Sequence, residues 1–214
     1  NLLSVPDAVP FEVACLTEPL ACVLHGLDQL ALQPGDTVVV NGDGPSGLML
    51  VAMAKQRGVR VILCGRAPQR LALAEQFGAD VVVNYAAVPD QAEAVRSHTE
   101  GGRGADVAIE AVGRPDVWET TVAMVRKGGQ VLFYGGCPQE STVQLPTRPI
   151  HYDQLTLKGV FHNTPYHVRL ALALLSDAKI PWISLVTHTF PLPNLHHAFD
   201  LMMNRKALKV ALMP

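Results

Sequence analysis

Asp36-Thr37-Val38-Val39-Val40-Asn41-Gly42-Asp43-Gly44-Pro45-Ser46-Gly47 is an apolar strand that runs into three spaced glycines. The long apolar run 48–54 follows and reads as a helix. Strand, tight glycine turn and helix in this order lay a dinucleotide pyrophosphate against a helix N-terminus. Gly42 permits the turn, Gly44 lets the backbone approach the phosphates, and Gly47 lets helix and strand pack closely. Pro45 and Ser46 complete the turn, and the free N–H groups and dipole of the following helix hold the anion.

Working outward, strand and helix alternate with little interruption. Residues 59–64, 80–84, 106–110, 130–134 and 155–160 read as five further strands, and 68–77, 89–100 and 116–125 as helices between them. A proline-rich connection over 137–149 precedes the last strand. Strands this apolar on both faces, joined by helices, belong to a parallel sheet covered on both sides. The expected fold is α/β: a Rossmann-type doubly wound sheet of six parallel strands over 35–161. Residues 1–34, with a helix over 11–31, and 162–214 lie outside that unit. The latter contain a helix at 166–176, a strand at 185–190, a helix at 194–204 and a strand at 209–213.

Composition bounds the function. The 214 residues are 49% apolar and 17% charged, with a net charge of −2. That balance suits one or two globular domains and offers no electrostatic footprint for nucleic acid or an anionic membrane. No apolar run approaches the roughly 20 residues that span a bilayer. The four cysteines, Cys15, Cys22, Cys64 and Cys137, show no C-x-x-C pair, so a reducing, cytoplasmic setting is expected. The chain opens at Asn1 inside what reads as running sequence, and a longer natural protein is expected.

Seven ordered segments carry a specific likeness: Glu18-Pro-Leu-Ala-Cys22, Gly42-x-Gly-Pro-Ser-Gly47, Arg70-Leu-x-Leu-Ala74, Phe77-Gly-Ala-Asp80, Gly104-Ala-Asp106, Glu110-Ala-Val-Gly113 and Lys209-Val-Ala-Leu-x-Pro214. Together they resemble the medium-chain dehydrogenase/reductase family, and within it the zinc-dependent sorbitol (polyol) and threonine dehydrogenase branch. The resemblance implies that 1–34 and 162–214 are arms of a GroES-like catalytic domain whose zinc-bearing body lies outside this sequence. It implies an NAD(P)-dependent alcohol or polyol dehydrogenase, inactive as this chain alone, and a homodimer or homotetramer paired through the edge of the sixth strand. The competing class is a cofactor-binding fragment or regulatory domain that keeps the fold without the chemistry. A zinc-free quinone or enoyl reductase is a lesser alternative, which Glu18-Pro-Leu-Ala disfavours.

The coenzyme choice is read at the end of the second strand. An NAD site usually carries a carboxylate there for the ribose 2′-hydroxyl, and this chain has Cys64-Gly65-Arg66 instead. Gly65 leaves room for a 2′-phosphate and Arg66 can pair with it, so NADP is favoured over NAD. By resemblance, Arg70 lies near the adenosine ribose, and Ala111-Val112-Gly113 and Tyr134-Gly135-Gly136 lie along the nicotinamide ribose. The resemblance further sets Phe161-His162 at the nicotinamide carboxamide and Lys209 at the pyrophosphate. Glu18 is the expected catalytic and metal-facing residue, as ligand to the zinc or through its bound water, where the metal would polarise the substrate oxygen. Cys22 and His25 sit on a mostly apolar helix and read as packing or capping residues, and Cys15 and Cys22 as sharing one helical face. The remaining histidines show no ligand spacing.

Overall fold

The computed structural model describes residues 2–214. Two compact units share the chain. One is Gly26–Phe161, and the other joins the stretch that ends at His25 to His162–Pro214.

The chain opens with α1 (Phe11–Ala14) and α2 (Thr17–Asp28), where one helix over 11–31 was expected. Proline explains the break. A helix running through Pro19 would leave the Cys15 carbonyl without an N–H, whereas in a first turn that N–H has no partner to lose. The helix therefore restarts at Thr17, with Leu20 N–H donating to the Leu16 carbonyl at 2.9 Å. Cys15, between the two helices, is exposed and does not share a helical face with Cys22.

The larger unit alternates β1 (Thr37–Asn41), α3 (Pro45–Lys55), β2 (Arg60–Gly65), α4 (Pro68–Gln76), β3 (Val81–Asn84), α5 (Gln91–Ser97), β4 (Ala105–Glu110), α6 (Pro115–Val122), β5 (Val125–Phe133), α7 (Thr147–Tyr152) and β6 (Thr156–Gly159). Its sheet is parallel throughout, in the order β3-β2-β1-β4-β5-β6. The chain thus crosses from β3 back over the sheet to β4, and the reversal falls between β1 and β4. In open α/β sheets that switch point, at the carboxyl ends of the strands, is the ligand crevice. Val38, Val39, Val40, Ile62, Leu63, Ala108 and Ile109 have no exposed surface, the continuous apolar pattern of strands covered on both faces. In α3 every residue from Gly47 to Ala54 is buried, which seats the helix that follows the glycine turn firmly on the sheet.

Two elements differ from the sequence reading. The connection over 137–149 contains the start of α7, because Pro146 takes the N-cap and Pro149 falls in the first turn, where proline is tolerated. Residue Val125 opens β5 instead of closing a helix. The early start goes with a register shift against β4 between Ala105 and Val107, and with Gly128 at φ +70°.

The second unit continues with α8 (Pro165–Leu174), β7 (His188–Pro191), α9 (Leu195–Met203) and β8 (Val210–Met213), and β7 pairs with β8 in parallel. The strand expected over 185–190 begins only at His188, since residues Trp182–Leu185 form a 3-10 turn after Pro181. No helix of the described residues is long and apolar enough to cross a membrane.

Candidate functional site

At the end of β1 the backbone turns at Gly42, φ +140°, whose N–H donates to the Cys64 carbonyl of β2 at 2.9 Å. A side chain at Gly42 would press on Val112 Cγ2 and the Ala111 backbone at about 3 Å, and one at Gly47 would overlap the Gly42 carbonyl oxygen. These two glycines are set by close packing within the turn. Gly44 is different. It is the N-cap of α3 with φ −76°, and a Cβ there would meet nothing within 4 Å. Pro45 occupies the first turn and no side chain caps the helix. The open space above Gly44 therefore faces uncapped N–H groups and the positive end of the α3 dipole, and an anionic group fits it.

The second strand ends beside a carboxylate that the linear reading did not anticipate. Asp43 Oδ2 accepts from the Arg66 and Ala67 N–H groups, each at 2.9 Å, and its Oδ1 lies 3.8 Å from Arg70 Nη1. This corrects two expectations. A carboxylate does stand at the end of β2, supplied by the glycine turn. The room expected at Gly65 is also taken, since a Cβ there would sit 2.6 Å from Asp43 Cβ and 2.8 Å from Leu71 Cδ2. Gly65 is buried as a consequence of that approach, while the Arg66 side chain is exposed. Cys64, fully buried in the same strand, has its thiol pushed up to about 12 by burial, eased only by Gln91, and stays neutral.

The ends of β4 and β5 meet at the same sheet edge. Gly113, φ +80°, lies so close to the next turn that a Cβ would fall 2.5 Å from the Gly136 carbonyl oxygen. A Cβ on Gly135 would in turn crowd the Gly113 nitrogen and Glu110 Oε2. Glu110 fastens this pair of turns. Its Oε1 accepts from Val112 and Gly113 N–H at 2.8 and 2.9 Å, and its backbone carbonyl accepts from both Tyr134 and Gly135 at 3.0 Å. Trp118 stacks on Phe133 and donates from Nε1 to the Gly135 carbonyl at 3.0 Å. Burial raises the Glu110 carboxyl, against the pull of the Gly113 and Val112 N–H groups. Ala111 is half-buried, its N–H donating to the Asn41 carbonyl at 2.9 Å, and the Val112 side chain is partly exposed at this edge.

In the second unit α2 presents Glu18 and Cys22 one turn apart, and Cys22 Sγ donates to Glu18 Oε1 at 3.1 Å. Asn163 Nδ2 donates to both, at 3.3 Å each, and His162 Nδ1 lies 4.0 Å from Glu18 Oε1. His162 adopts φ +65°, and its carbonyl is engaged by His25 Nδ1 at 2.9 Å. Burial raises the Cys22 thiol, with Asn163 opposing and Glu18 reinforcing the shift. His162 and Asn163 also line a pocket of about 470 Å³ with Val168 and Arg169.

Cys22 and His25 were expected as packing or capping residues: both are half-buried and His25 Nδ1 engages the His162 backbone carbonyl, while Cys22 also bonds Glu18. Phe161 is 90% exposed at the end of the larger unit. Lys209 stands before β8, its carbonyl accepting from Thr187, and lines a groove with Leu195, Phe199 and Met202.

The profile described as zinc-binding dehydrogenase matches residues 45–177, well over half of the chain. The chain belongs to that family. It is 36% identical over 212 residues to an erythritol/L-threitol dehydrogenase of Mycolicibacterium smegmatis, covering 98% of this chain and 57% of that protein. It is 34% identical over 209 residues to a D-arabitol-phosphate dehydrogenase of Enterococcus avium, covering 96% of this chain and 58% of the relative. The chain thus spans less than two thirds of the length of these relatives. Among solved structures, an alcohol dehydrogenase from Thermotoga maritima superposes with a TM-score of 0.90 at 30% identity, covering 99% of this chain and 60% of that one. The family match agrees with the resemblance drawn from the seven segments, and the six-stranded parallel sheet agrees with it too.

Proposed function

We propose that this chain is the coenzyme-binding portion of a zinc-type dehydrogenase acting on a secondary alcohol of the polyol class, with NADP(H) preferred to NAD(H). One observation carries the reading. The open space at Gly44 lies over an uncapped helix N-terminus, at the point where the strand order reverses.

When bound, the nicotinamide would supply redox chemistry at its ring, and a zinc ion would act as the Lewis acid on the alcohol oxygen. The chain's own residues do the positioning. The Gly44–Gly47 backbone holds the pyrophosphate. The turns at Gly113 and Gly135, fastened by Glu110, form the shelf for the nicotinamide ribose. Glu18 faces the metal. Arg66, exposed and without a side-chain ion pair among the described residues, pairs with the 2′-phosphate. Asp43 draws on Arg70 and sets a negative charge nearby, so the preference for the phosphorylated coenzyme is modest.

The terminal arms, 1–34 and 162–214, form the return of a barrel-like catalytic domain in this reading. Two copies pair through β6, which is hydrogen-bonded on one side only in the sheet.

Titration of the folded chain with NADPH and NADH, followed by nicotinamide fluorescence, tests the proposal. Tighter binding of NADPH is the expected result. NADH binding tighter by about tenfold, or 1.4 kcal/mol, overturns the coenzyme preference. A folded chain that binds neither removes the function.

A further inference from the structure

We propose that Glu110 is a positioning residue whose own proton is linked to coenzyme binding. The neutral carboxyl keeps the turns at Gly113 and Gly135 in place, and the carboxylate draws them out of it. This rests on the reading of those turns as the coenzyme shelf, and adds the group that governs them.

Glu110 is fully buried, and its two oxygens are placed unequally. Oε1 accepts from the Val112 and Gly113 N–H groups at 2.8 and 2.9 Å. Oε2 is buried as well, yet no protein group donates to it. The two N–H groups that face it are spent elsewhere. Trp118 Nε1 donates to the Gly135 carbonyl, and Gly135 N–H donates to the Glu110 carbonyl, both at 3.0 Å. A Cβ on Gly135 would fall 2.7 Å from Oε2, so the backbone of the second turn lies directly against this oxygen. One carboxyl thus ties the first turn with one oxygen and abuts the second with the other.

This geometry tolerates a proton better than a charge. A buried oxygen without a donor is costly, and much more so when it is ionised. In the neutral acid Oε1 keeps both N–H bonds, Oε2 carries the proton, and no charge is stranded. Once the proton leaves, the charge on Oε2 attracts the Trp118 and Gly135 N–H groups away from their present acceptors. Those are the bonds that set the second turn. The first turn follows, because neither Gly113 nor Gly135 has space beside it for a methyl group.

The neighbours do not relieve that charge. In the sheet Glu110 lies beside Asn41 of β1 and Phe133 of β5, neither of which titrates. Helix α6 brings Trp118 and, on its exposed surface, Asp116, already paired with Arg114. The connection after β5 brings Cys137, whose thiol is raised by desolvation and by the negative charges of Glu110 and Asp116. Burial accordingly lifts the Glu110 carboxyl above its ordinary 4.5, against the pull of the Gly113 and Val112 N–H groups. A raised folded value means that the contribution of the neutral acid is complete below 4.5 and is lost as pH rises through the folded value. Coenzyme binding that needs the neutral form weakens over the same interval, and it draws a proton from solvent onto Oε2.

Calorimetric titration of the 214-residue chain with NADH, in two buffers of different ionisation enthalpy, tests this. NADH lacks the 2′-phosphate, which itself titrates at about pH 6. Between about pH 5 and about pH 8 the parent should lose about fivefold or more in NADH affinity and take up protons on binding. Glu110→Gln keeps an acceptor for the Val112 and Gly113 N–H groups and cannot ionise, so its affinity should change by less than about twofold over that range, with the proton uptake lost. A merely structural Glu110 would leave the pH profile of that variant parallel to the parent's. That result overturns the proposal. So does a parent with flat affinity and no proton uptake, a measurement that needs no variant to fold, and it leaves the coenzyme reading standing. A folded chain that binds neither NADH nor NADPH removes both.

Discussion

Replacing Gly44 by alanine separates a structural glycine from a ligand-facing one. The added Cβ would meet no protein atom within 4 Å, and φ −76° is allowed for alanine. Restricting the unfolded chain contributes about 0.4–1 kcal/mol of stability, and alanine's poorer N-cap behaviour removes a similar amount. Melting should therefore stay within about 3 °C of the parent. The pyrophosphate has no such tolerance. An oxygen accepting from a first-turn N–H sits about 2.9 Å from nitrogen, while a methyl carbon needs about 3.5 Å from its neighbour. The phosphate must retreat and give up at least one charge-assisted hydrogen bond, worth about 1.5–3 kcal/mol. NADPH affinity should fall by about ten- to a hundredfold. Calorimetric titration of Gly44→Ala beside differential scanning calorimetry reads both quantities. An NADPH affinity within twofold of the parent would refute the cradle.

The neighbouring glycine should behave in the opposite way. Gly47→Ala drives a methyl into the Gly42 carbonyl, so the turn must open at a cost of about 3 kcal/mol or more, read as a lower melting temperature. Arg66→Ala should weaken NADPH by about tenfold and leave NADH unchanged; equal losses for both would assign Arg66 to the common part of the coenzyme. At Asp106, burial alone would raise the carboxyl, but the Thr37 N–H and the Arg126 and Arg103 guanidiniums outweigh it and hold it below its ordinary value of 3.8. A lowered folded value stabilises the protein above 3.8, and that contribution disappears as pH falls through the folded value. Asp106→Asn should thus lower the urea midpoint at neutral pH and flatten its decline in acid; an unchanged acid slope would count against the assignment.

The sheet and its glycine turn were legible because they depend on local order: an apolar strand, glycines at fixed spacing, an apolar helix. Boundaries failed where proline has two roles. Pro19 broke a helix that periodicity joined, whereas Pro146 and Pro149 began one where their density suggested a loop. The site was legible only in part. Gly42, Gly44 and Gly47 declare themselves in sequence. Asp43 was in plain view, yet its partners, the Arg66 and Ala67 N–H groups, lie on the next strand's turn, and only the parallel pairing of β1 with β2 brings them within 2.9 Å. Cys22 and His162 had no linear relation at all. A buried acid at the end of an apolar strand was the signal available for Glu110, and reading the strand ends as backbone contacts passed over it.

The glycines at 113 and 135 have a practical consequence for anyone wishing to redesign this protein. Loops that leave no space for a methyl group at either of these glycines cannot be diversified there one at a time, because a side chain at one displaces the other loop. Libraries aimed at a new coenzyme should spare that ledge and vary Asp43, Arg66 and Arg70, the polar trio at the mouth of the second strand.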